Sequence, residues 1–292
     1  MAKPRELKRR IRSVQSTRKI TKTMELVATS KLKRAQDRVF AARPYAAALA
    51  EVIGDLYSPA LAERFPLLRQ PGAHGARKVA LVLVTANRGL AGAFNANLIR
   101  EARHRLDALE REGAAVDLHI IGRKGVGFFR HTRRAIASQR TDVGENPKAA
   151  QASEIVGPLV QAFEAGGLDA VEVVHAQFKS ALSTPPTVLR ILPVTPPETG
   201  GGKREQADYI LRPSAEAILE RLLPLYVENQ MFRALVETAA AFYGSQRTAM
   251  KNATDNAGDL LNLLNRTYNR ARQAQITQEL AEIVGGAEAL QG

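Results

Sequence analysis

Cysteine is absent from all 292 residues, so disulfides, thiolate zinc sites and cysteine nucleophiles are excluded together. Tryptophan is absent too, and aromatic residues make up only 5% of the chain. Alanine carries much of the apolar fraction, which suits closely approaching helices better than a thick globular interior. No apolar run approaches the roughly 18 to 20 residues that a membrane span requires; the longest candidate surrounds Val79 to Val84. The first residues hold no apolar stretch of the kind found in a secretory signal. They are Arg-rich but continue into a long patterned helix, so the start is expected to be mature protein.

Acid is scarce in one region above all. The chain carries a net charge of +13, and residues 1–43 hold fourteen Lys/Arg against three acids, a net +11. Residues 44–213 add +4 and residues 214–292 contribute −2. The basic character is therefore one N-terminal stripe, and such a stripe seeks an acidic surface.

From Arg5 to about Leu56 only Pro44 interrupts a helical pattern, with a heptad frame at Leu7, Ile11, Val14, Ala28, Leu32, Ala35, Val39 and Ala42. At about 1.5 Å per residue such a helix reaches roughly 75 Å. In its middle the seam positions are Arg18, Thr21 and Glu25, while Ile20, Met24 and Val27 move to a neighbouring face. A change of partner is expected there.

Pro59, Pro66 and Pro71 with Gly72 and Gly75 mark a linker over 59–76. An α/β alternation follows over 77–212: strands at Lys78 to Val84, Val116 to Gly122, Ala170 to Phe178 and Thr187 to Val194, with helices at Asn95 to Arg111, Lys124 to His131 and Ser153 to Ala165. Apolar strands separated by amphipathic helices predict an open, Rossmann-like α/β sheet, and the last two strands look like a hairpin at one edge. The GGGK stretch at 200–203 is expected to connect into Tyr209 to Leu211.

Residues 213–292 form a second helical region that starts at Pro213 and Ser214. Pro224 is expected in the first turn of its long segment, and Gly285 and Gly286 at its end. Its seam is expected to run through Leu235, Ala239, Phe242, Ala249, Ala253, Asn256, Leu260 and Leu263. At about 90 Å, this helix is too long for any globular domain of this chain to cover, so its far end must lie in solvent or inside a partner. The fold expected is thus a long antiparallel coiled coil of the helices 1–58 and 213–292, with the α/β domain inserted between them.

Chemistry is sparse. The turn Asn87 to Gly92 sits between a strand and a helix, where a phosphate loop would be, yet it has neither the lysine and hydroxyl of a P-loop nor G-x-G-x-x-G spacing. It reads as a structural turn. The five histidines, His74, His104, His119, His131 and His175, have no ligand spacing, and Asp255 and Asn256 lack the spacing of a calcium loop. No nucleophile, base and orienting group come together. No catalytic residue, metal or cofactor is expected. The basic helix has the charge of a nucleic-acid binder, but residues 1–39 hold no aromatic for stacking, so a solvated helix face or a protein partner is favoured.

Three segments carry a family resemblance: KITKTMELVATSKLKRAQ (Lys19 to Gln36), TANRGLAGAFN (Thr85 to Asn95) and the run from MKNATDNAG at Met250 to RQAQITQEL at Arg272. They resemble the N-terminal helix, first strand-to-helix turn and C-terminal helix of the γ subunit of F-type ATP synthases, and together they span almost the whole chain. Many members carry Cys where this chain has Ala91, and many carry Arg where it has Gln246.

The resemblance implies a non-catalytic central-stalk rotor that couples rotation of the membrane c-ring to conformational changes in the catalytic β subunits. It implies the α and β subunits, the ε subunit and the c-ring as partners, and a peripheral place on the cytoplasmic side of a bacterial inner membrane. Met24 matches a position facing the β lever, and Lys31, Lys33 and Arg34 belong to the basic stripe that would meet it. Arg272, Gln273 and Thr277 match positions that contact the β catch loop, and Ile283, Val284 and Leu290 lie in the tip held by an apolar sleeve. The alternative carried beside this is a basic coiled-coil protein that binds RNA or acidic lipid.

Overall fold

The computed structural model describes residues 4–57, 64–70, 77–195 and 214–289. Helix α1 spans Pro4–Leu56, unbroken at Pro44. A 3-10 turn, Pro66–Leu68, precedes β1 (Lys78–Val84), α2 (Phe94–Arg111), β2 (Ala115–Ile121), α3 (Arg123–His131), β3 (Ser138–Arg140), α4 (Ala149–Glu164), β4 (Ala170–Ala176), β5 (Pro186–Leu192) and α5 (Ala215–Ala289). Leu290 and the stretch around GGGK with Tyr209 to Leu211 lie outside the described residues.

The chain divides into two compact units, one of Met1–Ala28 with Gln246–Gly292 and one of Thr29–Ser245. In the second unit the sheet order is β3-β2-β1-β4-β5, parallel except for β5, which forms an antiparallel hairpin with β4 at one edge. The three-residue β3 was not expected: Ser-Gln-Arg has no apolar alternation, because an exposed edge strand needs none.

Alternation along β1 divides the core. Ala80, Val82 and Val84 face α4 through Val156, Leu159 and Phe163, whereas Leu81 and Leu83 face α2 through Leu98, Ala102 and Leu106. Helix α5 serves both faces, with Leu219 to Leu235 in the first cluster and Val236 to Tyr243 in the second. A helix covered on nearly every side has no single seam.

The expected linker is partly docked. Leu67 and Leu68 are buried in the first cluster, and the Arg69 guanidinium donates to Phe163 O (2.9 Å) and Leu168 O (3.3 Å).

In the first unit α1 and α5 pair antiparallel: Thr21 meets Thr254, and Arg18 lies beside Gly258. Leu7, Ile11, Thr21 and Ala28 are buried against Met250, Thr254, Ala257 and Leu261. The expected seam residues Ala249, Ala253, Asn256, Leu260 and Leu263 are thus one residue out of phase; Leu260 is 44% and Leu263 56% exposed. From Leu235 to Phe242 α5 is buried all round, so those residues fix no phase, and a straight helix drifts against a strict heptad.

Ile20 and Val27, where a change of partner was expected together with Met24, are left open by this chain. Thr21 and Glu25 hold the seam as polar residues, while Ile20 and Val27 point outward, more than half exposed or close to it.

Two helix ends also differ from expectation. Ser214 caps α5 by accepting the Ala217 N–H (3.2 Å), so Pro224 lies inside the helix and not in its first turn. Gly285 and Gly286 do not end it: neither takes a positive φ, and α5 runs on to Ala289. Glycine tolerates helical angles at a cost of about 1 kcal/mol each relative to alanine.

Candidate functional site

The strand-to-helix turn after β1 occupies the place of a phosphate loop and is closed by its own chain. The first three N–H groups of α3 are taken in order: Arg123 N donates to Asn87 Oδ1 (2.9 Å), Lys124 N to Ala86 O (3.2 Å) and Gly125 N to Thr85 Oγ1 (3.0 Å). The Asn87 amide donates onward to Thr141 O and Val143 O. A helix N-terminus binds an anion through free N–H groups, and at α3, the helix on which this turn closes, none of these three is free.

Close approach is fixed by Gly122, whose φ is 99° and whose added Cβ would stand 2.1 Å from Thr85 O. Leu235, Thr238, Ala239 and Phe242 of α5 then fill the crevice beyond the strand ends, leaving a narrow cleft with Val84, Ile121 and Val143. The turn is a structural clasp.

Two titratable groups sit deep in the sheet. Burial pushes Glu172 up, but hydrogen bonds from Arg105 (2.6 and 2.8 Å) and Arg190 (3.0 Å) outweigh it and hold the carboxyl below its ordinary 4.5. Burial lowers His175, with Glu237 opposing and Arg233 assisting. His119, also lowered by burial, shares a 2.7 Å hydrogen bond with Ser138 at the opposite edge. Among the described residues no His and acid cluster is placed to hold a metal, and no described helix is long and apolar enough to cross a membrane.

The expected contact residues fall into three groups. Met24 is half-buried on α1 in the first unit. In the second unit Lys31 and Arg34 line a groove with Arg38, Lys148 and Tyr243, while Lys33 turns away and pairs with Asp37 (2.9 Å). The acids of this groove are engaged elsewhere: Asp142 is held at about 2 by its hydrogen bonds with Arg140, and Glu145 pairs with Arg88 (3.4 Å). The groove is therefore cationic. Lys31 Nζ lies 5.5 Å from the Tyr243 ring centroid, and burial with the Glu145 charge raises that phenol to about 12, against opposing Arg88 and Arg38. The sequence grouped Lys33 with Lys31 and Arg34, whereas helical spacing puts Arg38 on their face in its place. Lys148 and Tyr243 gave no local signal, since only the fold brings them to that face.

The third group lies on α5 in the first unit. The register set by Thr21 and Thr254 brings Pro4, the first described residue of α1, opposite Ala271. Beyond it every residue from 272 to 286 is exposed. Arg272 and Gln273 are there, and the Thr277 hydroxyl donates to Gln273 O (3.0 Å). Ile276, Leu280, Ile283 and Val284, 44% to 68% exposed, line up at helical spacing; the first two had not been singled out from the sequence.

A sequence model of the family described as ATP synthase matches residues 3–290. The chain is 65% identical over 292 residues to the ATP synthase gamma chain of Gemmatimonas aurantiaca, covering 100% of both. It is 47% identical over 290 residues to that of Moorella thermoacetica, covering 99% of this chain and 100% of the relative. Among solved structures it shares the fold of a chain of the Euglena gracilis mitochondrial ATP synthase rotor, with a TM-score of 0.65, 18% identity and coverage of 94% and 98%. A chain from the central stalk and c-ring of the Tetrahymena thermophila mitochondrial enzyme gives 0.61, at 23% identity with 80% and 99% covered.

Proposed function

The chain belongs to the gamma-chain family of ATP synthase, the non-catalytic rotor subunit of that complex, and from this premise we propose how its surfaces do the work. The observation that carries the reading is the stretch 272–286 of α5. A helix exposed on every side with an apolar stripe along it gains nothing from its own chain, since helical stability in water comes from burying such a stripe. It is covered by a partner. In a rotor that partner is the ring of α and β subunits, with Ile283 and Val284 in an apolar sleeve and Arg272, Gln273 and Thr277 against the β catch loop.

In the second unit, the cationic groove of Lys31, Arg34 and Arg38 meets the acidic lever of each β subunit in turn. Exposed ion pairs are worth about 0 to 1 kcal/mol each and can be made and broken at every step, where one deep apolar anchor would act as a brake. The c-ring and the ε subunit engage the rotor outside the catalytic ring. The chain works as a peripheral component on the cytoplasmic face of a bacterial inner membrane. The RNA- or lipid-binding alternative finds no support in the relatives.

Native mass spectrometry of the chain co-expressed with matching α and β subunits tests the assembly, with one copy per α/β hexamer expected. No association between folded partners overturns the reading. Reversing Lys31, Lys33 and Arg34 together should weaken ATP-driven proton pumping, and unchanged pumping would count against the electrostatic part.

A further inference from the structure

The connection leaving β4 does not run free over the surface. It lies along α5 and is tied to it at successive points. The Ala176 N–H donates to Thr238 Oγ1 (3.2 Å) and the Phe178 N–H to Glu237 Oε2 (3.2 Å). Ala181 O approaches α5 so closely that a Cβ on Gly244 would stand 3.2 Å from it, and the hydroxyls of Thr184 and Ser245 are 3.4 Å apart. Arg43 of α1 completes the clamp by donating to Phe178 O (3.4 Å). Phe178 thus has its N–H on one long helix and its C=O on the other.

Glu237 is the centre of this junction. It is 1% exposed, and its second oxygen accepts from Arg233 Nε (2.8 Å), whose own side chain is 40% exposed. A buried carboxylate is costly unless paired, and a well-packed apolar residue commonly serves stability as well or better. The neighbours Ala239, Ala240 and Ala241 show what this stretch uses for packing alone. What the carboxylate adds is direction, an acceptor aimed at the Phe178 N–H two residues past the end of β4.

We propose that Glu237, with Thr238 beside it, is the positioning residue that makes the sheet and the long helix turn as one body. The proposal rests on the rotor reading and adds to it the point through which torque passes between α5 and the α/β sheet. The hydrophobic effect is non-directional and by itself selects no single backbone atom. Hydrogen bonds to the last residue of β4 and to the backbone just after it weaken steeply when misaligned, so they oppose displacement either way.

The test uses the complete complex rebuilt in vesicles, with ATP hydrolysis and ATP-driven proton pumping measured on one preparation. Glu237→Ala removes both contacts. Thr238→Val removes the acceptor of Ala176 with little change of shape, and Gly244→Ala presses on Ala181 O. In each, protons pumped per ATP hydrolysed should fall, several-fold in Glu237→Ala, while hydrolysis and subunit content stay near wild type. Glu237→Gln, which keeps an oxygen for the Phe178 N–H, should restore most of the pumping. Parallel loss of hydrolysis and pumping, or normal pumping throughout, overturns the proposal. If Glu237→Ala does not assemble, normal pumping in both Thr238→Val and Gly244→Ala overturns it. Failure of the wild-type chain to support any pumping would instead be a failure of the rotor reading.

Discussion

Thr21 of α1 and Thr254 of α5, 233 positions apart, bury their hydroxyls against each other at 2.8 Å. Thr21 can pass its own proton to Arg18 O (3.1 Å), and Thr254 can pass its own to Met250 O (2.8 Å), so the pair is satisfied in either orientation. Thr254→Val should cost about 1 kcal/mol, and adding Thr21→Val should cost less than that again, because replacing both partners leaves no orphan. Urea unfolding of the four members of the cycle measures it. Strictly additive losses would show that the two hydroxyls are uncoupled.

The phase of the α5 seam predicts two unequal neighbours. Leu261 is 6% exposed and Leu260 44%. Leu261→Ala should lower stability by about 2 to 3 kcal/mol, and Leu260→Ala by roughly 0.5 or less. Thermal melts followed by circular dichroism separate them, and the opposite ranking would restore the heptad frame expected from sequence.

Glu172 is 2% exposed between Arg105 and Arg190. Glu172→Ala leaves two partly solvated guanidinium groups without their carboxylate and should cost about 1 to 3 kcal/mol. The wild-type carboxyl lies below its ordinary 4.5 in the folded chain. Its contribution is therefore fully present above that value and is lost as the pH falls through the lower, folded one. Glu172→Gln, though weaker, should show a flatter loss of stability on acidification. An acid profile identical to wild type would contradict the sign.

His175 should act in a milder range. Burial holds its folded pKa below 6.5, so the unfolded chain binds a proton first as the pH drops. Stability is full above 6.5 and declines as the pH falls toward the folded value. His175→Gln should remove part of that slope, His119 retaining the rest since burial lowers it too. Denaturant midpoints across weakly acid pH report this, and a wild-type slope in the variant would assign the effect elsewhere.

Gly122 and Gly127 should respond in opposite directions to alanine. At Gly122 the Cβ meets Thr85 O at 2.1 Å with φ at 99°, so Gly122→Ala should abolish soluble folding or cost several kcal/mol. At Gly127, inside α3, nothing lies within 4 Å, and alanine should stabilise by about 0.5 to 1 kcal/mol. Soluble yield and melting temperature decide both.

The sequence by itself determined that two long helices flank an open α/β domain, that the basic charge is confined to the N-terminal stripe, and that no cysteine chemistry exists. Those properties are local: a heptad, an apolar strand or a run of Lys/Arg shows its period and composition without reference to anything else. Lys31 and Arg34 were legible for the same reason as part of the basic stripe, although Lys33, grouped with them, turns away and Arg38 takes its place in the groove; the hairpin of β4 and β5 was legible too. Only the tertiary structure decided that the α5 seam runs through Met250, Thr254, Ala257 and Leu261. A seam of small residues tolerates a one-residue shift of phase on paper, and only the partner helix settles which face is covered. It also decided that Lys148 and Tyr243 join the groove and that Glu237 reaches Phe178. These residues are far apart in the chain, and their chemistry exists only where folding has brought them together.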